Sequence, residues 1–191
     1  MLYYAKGGVN ESLSDAQLKQ GLFEALKKLG VRKKVLALPP DFTRFYSRAG
    51  DLTCYAYEFY KDNFAAVLPT LGTHYPLTEK EKQEMFGDLP RKLFIDHNWR
   101  TDIVTLGEVP SSYVKEVSGG AVDYSWPAQV NKHIVQDNYD LILSIGQVLP
   151  HEVVGMANYT KNIFVGTGGK DGINKSHFLG AAFGMERMMG R

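Results

Sequence analysis

Five polar residues have the types and spacing needed to move protons on an anionic ligand. His74 and His151 carry imidazoles, which ordinarily exchange a proton near neutral pH. Arg44 offers a planar guanidinium that binds a carboxylate or phosphate through paired hydrogen bonds, and Asp41 and Thr43 lie beside it in the sequence. Each follows an apolar run that predicts a strand. Because parallel strands present their carboxyl ends along one sheet edge, we expect these residues to share a cleft.

Each of these residues also has a structural interpretation. A histidine at a strand end often caps local backbone, and Asp41 with Arg44 could form a local ion pair. His97 and His133 are expected to be structural, because His133 falls in a polar helical stretch and His97 in an aromatic-rich turn. The shared position of the other two histidines at strand ends is what favours a functional role for them.

A glycine-rich segment, residues 166–172, precedes the last helical run. Its glycines miss the dinucleotide pattern G-x-G-x-x-G by one position, and Gly169-Lys170 is followed by Asp171 instead of Ser or Thr. Backbone N–H groups that open a helix can bind an anion, although a plain strand-to-helix turn is the alternative. No two histidines have H-E-x-x-H spacing, so a closed zinc site is not expected.

The elements that position these residues alternate along the chain. Hydrophobic periodicity and capping signals predict helices over 14–30, 51–61, 78–87 and 128–135 and after 172. Short apolar runs predict strands at 35–38, 65–68, 92–95, 102–106, 140–146 and 162–165. This alternation predicts an α/β fold, three-layered and Rossmann-like, with a mostly parallel sheet and helices on both faces.

The amino-acid composition argues against several classes of protein. The 191 residues hold 22 Lys and Arg against 21 Asp and Glu, so there is no cationic surplus for nucleic acid as the main partner. No apolar run suits a membrane span or a secretion signal. Since Cys54 is the only cysteine, no intrachain disulfide can form, and we expect a cytoplasmic protein that binds a small molecule. The length predicts one domain, residues 1–191.

Five ordered motifs resemble the N-terminal domain of the lactate racemase family. They are PDFTR at 40–44, LGTHYPLT at 71–78, Ile145-Gly146 with Pro150-His151 and Gly155, Lys161 with Gly166, and NKSH at 174–177. The resemblance covers nearly all of the chain from about residue 31 onward. It supports the α/β fold and implies a specific cofactor.

The implied cofactor is the nickel-pincer nucleotide, pyridinium-3,5-bisthiocarboxylic acid mononucleotide nickel. By the family's pattern, Lys161 would join it through a thioamide and His177 would supply an imidazole ligand to nickel. Asp41, Thr43 and the backbone near Gly166 would lie beside it. We expect the cofactor to be missing when the protein is produced without the enzymes that make it.

The resemblance also implies the reaction, which is racemisation or epimerisation of a 2-hydroxy acid. His74 and His151 would act as acid and base on opposite faces of the substrate, and Arg44 would bind its carboxylate. One histidine takes the hydroxyl proton as the α-hydride passes to the cofactor. The flat 2-oxo acid then takes the hydride back on either face.

The chain departs from the family pattern at two places and in length. The family usually has His where Phe42 stands, and it approaches the lysine as Ser-Gly-Gly-x-Lys, whereas residues 157–161 read ANYTK. Family members also have a C-terminal domain that closes over the cofactor. We therefore expect this chain to be a fragment, with that domain as its missing partner and with little activity alone.

Two other functions fit the residues. The chain could be a non-catalytic module that binds a nucleotide or phosphate at residues 166–172. It could also be a hydrolase or lyase that uses a histidine-bound metal without the pincer cofactor. The first predicts that replacing His74 or His151 leaves ligand affinity unchanged; the second predicts metal retained without cofactor synthesis.

Overall fold

A computed structural model describes residues 1–190 of the chain. The helices are α1 (Asp15–Leu29), α2 (Ala49–Tyr60), α3 (Glu79–Phe86), α4 (Ser111–Val117), α5 (Lys132–Gln136), α6 (Tyr159–Lys161), α7 (Lys170–Phe183) and α8 (Met185–Met188). The strands are β1 (Val35–Leu38), β2 (Phe64–Val67), β3 (Ile103–Val109), β4 (Trp126–Asn131), β5 (Leu141–Ser144), β6 (Pro150–His151) and β7 (Gly155–Met156). Short 3-10 helices cover Phe42–Ser47, Lys61–Asn63 and Arg91–Leu93, and a π-helix covers Asn162–Gly166.

Two helix starts follow directly from local sequence. At the start of α1, the Ser14 side chain accepts the backbone N–H of Gln17, and the Gln17 side chain accepts the backbone N–H of Ser14. Thr78 and Glu81 form the same reciprocal pair at the start of α3. Each pair satisfies two backbone donors that the first helical turn leaves free, so both predicted starts are confirmed.

The central sheet is parallel, with the strand order β2-β1-β5. Val35 and Ala37 of β1 face a core built with α1, α2 and α3. Leu36 and Leu38 face the opposite side, where side chains of α5 and of the π-helix cover them. Since helices pack on both faces of a parallel sheet, the three-layered α/β fold is confirmed.

Three predicted elements are wrong. Residues 92–95 form no strand: a 3-10 helix at Arg91–Leu93 is followed by one parallel bridge between Phe94 and Val67. The first half of the helix predicted at 128–135 belongs to β4, which pairs antiparallel with β3, and only the second half is helical, in α5. The strand predicted at 162–165 is the π-helix. Short apolar runs do not distinguish a strand from a buried helical turn, and tertiary pairing decided these cases.

The strand order creates a crevice at the carboxyl ends of the sheet. The chain passes from β1 to β2 on one side, and β5 later joins β1 on the other side. Connections that leave neighbouring strands in opposite directions open a crevice between them, where α/β folds bind ligands. Within residues 1–190, no helix is long and apolar enough to cross a membrane.

Candidate functional site

A cavity of about 310 Å³ lies at this edge of the sheet. All eight residues that the sequence marks as site residues line it. They are Asp41, Thr43, Arg44, His74, His151, Lys161, Gly166 and His177. They come from five separate segments of the chain, so the fold brings together groups that lie up to 136 positions apart (177 − 41).

Asp41 fixes the position and the tautomer of His74. Asp41 lies in the segment that follows β1, and its side chain is 9% exposed. One carboxylate oxygen accepts the backbone N–H of Thr43 at 3.0 Å and also the Thr43 hydroxyl. The other oxygen accepts the Nδ1–H of His74. Neutral His74 therefore carries its proton on Nδ1 and has a free lone pair on Nε2, the state of a general base.

His151 has the opposite tautomer. It lies in the β6–β7 hairpin, and its Nδ1 accepts the backbone N–H groups of Val153 at 3.1 Å and Val154 at 3.4 Å. Neutral His151 thus carries its proton on Nε2, as a donor. Burial lowers the pKa of His151, and the charge of Lys161 lowers it further, while Glu152 raises it. The two neutral imidazoles therefore present opposite groups at Nε2, a lone pair on His74 and an N–H on His151.

Lys161 and Arg44 give the cavity its positive charge. Lys161 ends the single turn of α6, and Arg44 lies in the 3-10 helix that follows β1. Burial lowers the pKa of Lys161, and the charge of Arg44 lowers it further, whereas Asp41 and Glu152 raise it. A lowered pKa increases the neutral fraction of the amine, which is its nucleophilic form.

His177 lies in the middle of α7. Its Nδ1–H donates to the Ile173 carbonyl oxygen one turn earlier, at 2.8 Å. This bond leaves the Nε2 lone pair free. Metal-bound histidines commonly donate their second ring N–H to a backbone carbonyl in this way.

Two glycines allow the segments around the cavity to approach closely. The Gly166 carbonyl accepts the backbone N–H of Gly72 at 2.8 Å, which ties the π-helix to the loop that carries His74. A Cβ on Gly166 would lie 2.5 Å from the Thr70 Cβ. On α7, a Cβ on Gly180 would lie 2.0 Å from a backbone oxygen of the His151 hairpin. Both glycines are therefore required by contacts that position site residues.

The glycine-rich segment uses its own backbone donors within the protein. The N–H of Gly168 donates to the Val165 carbonyl, and the N–H of Lys170 donates to the Trp99 carbonyl. The N–H of Gly172 donates to the Gln129 side chain. These three donors are therefore not free to bind a phosphate.

The two remaining candidate histidines lie off the cavity. His97 is buried, donates from Nε2 to the Gly168 carbonyl and accepts the Asn131 amide at Nδ1. His133 pairs with Asp137 inside α5. Within residues 1–190, no cluster of three or more His, Cys, Asp or Glu side chains is placed to hold a metal.

Glu152, Asn158 and Asn162 are among the polar residues of the cavity wall that sequence reasoning missed. Asn158 and Asn162 hydrogen-bond to each other and to the end of β5. The one available signal was Asn158, which stands at a position where the family has glycine.

Comparison with known proteins was made at the level of sequence and of fold. The family model for the lactate racemase N-terminal domain matches residues 9–188. No curated protein matches the chain.

Two solved structures share the fold. A Thermotoga maritima protein of known crystal structure has a TM-score of 0.76 at 23% identity, over 94% of this chain and 44% of that one. The lactate racemase apoprotein of Thermoanaerobacterium thermosaccharolyticum has a TM-score of 0.62 at 18% identity, over 92% of this chain and 46% of that one. The chain thus spans less than half the length of either structure.

Proposed function

The chain belongs to the lactate racemase N-terminal domain family, and we propose that it forms the cofactor-binding and acid–base half of a 2-hydroxy acid racemase or epimerase. The single observation that carries the proposal is the convergence of His74, His151, Lys161 and His177 on one cavity. These side chains come from separate segments of the chain. Their meeting at the carboxyl end of a parallel sheet supports a shared chemical role.

The donor set fits a nickel-pincer nucleotide. His177 has its Nε2 lone pair free because the Ile173 carbonyl holds its Nδ1–H. Imidazole nitrogen is a good ligand for nickel, and in the proposal the cofactor's own sulfur and carbon atoms supply the other ligands. Lys161 has a lowered pKa, which favours the neutral amine needed for a thioamide. When bound, the nucleotide would supply a hydride acceptor beside the substrate.

The remaining roles belong to the chain's own side chains. The Arg44 guanidinium binds the substrate carboxylate through two parallel hydrogen bonds. His74 takes the hydroxyl proton at Nε2, and Asp41 stabilises the resulting imidazolium at Nδ1. His151 donates from Nε2 and returns a proton on the opposite face. Because Nε2 of one histidine starts without a proton and Nε2 of the other starts with one, the reaction can run in both directions.

The proposal is tested on the intact protein, produced together with the cofactor-making enzymes. We expect near-stoichiometric nickel, a mass increase located on Lys161, and interconversion of the two forms of a 2-hydroxy acid from a panel of lactate, malate and sugar acids. Lys161→Ala should lose the mass increase and most of the activity. Lys170→Ala is the matched control, because this lysine lies outside the cavity.

Two results would contradict the proposal. Full nickel and full rate in Lys161→Ala would exclude the covalent attachment. Unchanged turnover in both His74→Ala and His151→Ala would exclude the acid–base roles and return the chain to the class of binding modules.

A further inference from the structure

Two consecutive non-glycine residues with positive φ angles, Asn158 and Tyr159, lie shortly before Lys161 in the chain. The φ angles of Asn158 and Tyr159 are +63° and +45°. Among non-glycine residues this conformation is uncommon, and for a bulky residue such as tyrosine it is strained. Strain of this kind persists only where surrounding contacts hold it in place.

The contacts that hold this turn come from the Asn158 side chain. Its Oδ1 accepts the Ser144 hydroxyl at 2.8 Å and the Asn162 amide at 2.6 Å. Its Nδ2 donates to the Gly146 carbonyl at 3.1 Å. Ser144 is the last residue of β5, so one amide ties the turn to the rigid end of the central sheet.

The same turn leads directly into Lys161. The backbone N–H of Lys161 donates to the Asn158 carbonyl at 3.0 Å, which closes the single turn of α6. Asn158 and Lys161 both line the cavity. Asn158 is therefore one of two residues, with Asn162, whose side-chain amides link the end of β5 to the segment that carries Lys161.

We propose that Asn158 is a positioning residue whose side-chain amide clamps the strained turn to the end of β5 and so places the Lys161 amine for its bond to the cofactor. The cofactor part of this inference rests on the proposed function, but the clamp itself does not. Glycine would satisfy the left-handed backbone equally well and would provide no clamp. The contribution of the backbone conformation and that of the side-chain amide can therefore be separated by substitution.

The experiment measures the Lys161 amine directly, in the intact protein without cofactor. Limited acetylation with acetic anhydride at a series of pH values, read by peptide mass spectrometry, gives the midpoint at which Lys161 becomes reactive. The charged groups facing Lys161 are Arg44, Asp41, Glu152 and His151, and all are unchanged in the variants. Asn158→Gly keeps the backbone freedom and removes the clamp.

In the native protein we expect a midpoint below that of an ordinary lysine, because burial lowers the pKa of Lys161. Asn158→Gly should move the midpoint upward, since a released Lys161 regains water. Co-production with the cofactor-making enzymes should then give about tenfold less cofactor on Lys161, the lower end of the effect of losing an outer-shell partner. Asn138→Gly, at a left-handed asparagine outside the cavity, is the control and should change neither value.

Ser144→Ala provides a second variant where Asn158→Gly does not fold, because it removes the hydroxyl that the Asn158 Oδ1 accepts at 2.8 Å and adds no charge near Lys161. An unchanged midpoint and unchanged cofactor attachment in the folded variant would overturn the clamp. A change in Asn158→Ala but none in Asn158→Gly would overturn it too, since backbone conformation alone would then matter. An upward midpoint shift with no cofactor on native Lys161 would instead refute the proposed function and leave the clamp standing.

Discussion

Asp41→Asn is the substitution that most directly tests the acid–base geometry. The carboxylate of Asp41 accepts the Nδ1–H of His74, and this bond keeps Nε2 free of a proton. In the variant, the amide can still accept from Thr43 through its oxygen, so its NH₂ group would face the imidazole. Two donors cannot pair, and His74 must shift its proton to Nε2.

The expected loss is large because the wrong tautomer has no base to offer. Where an aspartate orients a histidine base, the same substitution lowers kcat by about 10⁴-fold. Allowing for the half-exposed position of His74, we expect a loss of about 10³- to 10⁴-fold, or about 4 to 5.5 kcal/mol of transition-state stabilisation. The KM should change little, because Arg44 still binds the substrate carboxylate.

Two measurements separate this effect from misfolding. Racemisation by the cofactor-loaded intact protein gives kcat and KM, and nitrogen NMR of the cofactor-free protein reports which ring nitrogen of His74 carries the proton. Asp137→Asn is the matched control, because Asp137 accepts from His133 Nδ1 at 2.9 Å away from the cavity. The control should keep its racemisation rate and the native His74 tautomer.

A folded Asp41→Asn variant whose racemisation kcat stays within about tenfold of the native value would contradict this role of Asp41, since a factor of ten is only 1.4 kcal/mol. So would the finding that neutral His74 in the native protein carries its proton on Nε2.

Three further predictions concern stability. Burial lowers the pKa of His97, so the folded state binds fewer protons than the unfolded state below about pH 6.5. The free energy of unfolding should therefore fall on acidification. In urea titrations, the free energy of unfolding of His97→Gln should depend less on pH than that of the native protein. Gly166→Ala places a Cβ 2.5 Å from the Thr70 Cβ and should lower the free energy of unfolding by about 1 to 3 kcal/mol. Adding Thr70→Gly should restore part of that loss. Equal melting temperatures for the native protein and Gly166→Ala would contradict this prediction. Tyr159→Gly relieves a left-handed backbone and should raise the free energy of unfolding by about 1 kcal/mol; clear destabilisation would show that the turn is not strained.

Local chemistry made much of the fold predictable. The capping boxes at Ser14 and Thr78 fix two helix starts through bonds within three residues, so no tertiary information is needed. The apolar run at 35–38 was correctly predicted to be a buried strand, and its residues are buried on both faces of the sheet. Residues 128–135 were misread because β4 is defined by its pairing with β3, which no local pattern reports.

The candidate site divides in a similar way. The order of the family-like motifs marked eight of the residues that line the cavity, because residue type and order are properties of the sequence. Their roles as acid, base, ligand and attachment point are still predictions. The clamp formed by Asn158 could not be read from sequence, since its partners Ser144 and Gly146 lie more than ten residues away.

The sequence by itself determined which chemical groups are present, where helices begin and which strands form the centre of the sheet. Only the tertiary structure decided which group faces Nδ1 of each histidine, a carboxylate at His74 and backbone N–H groups at His151, and hence which tautomer each neutral imidazole has. A side chain's chemistry is local, but its proton position depends on the partner that folding brings to it.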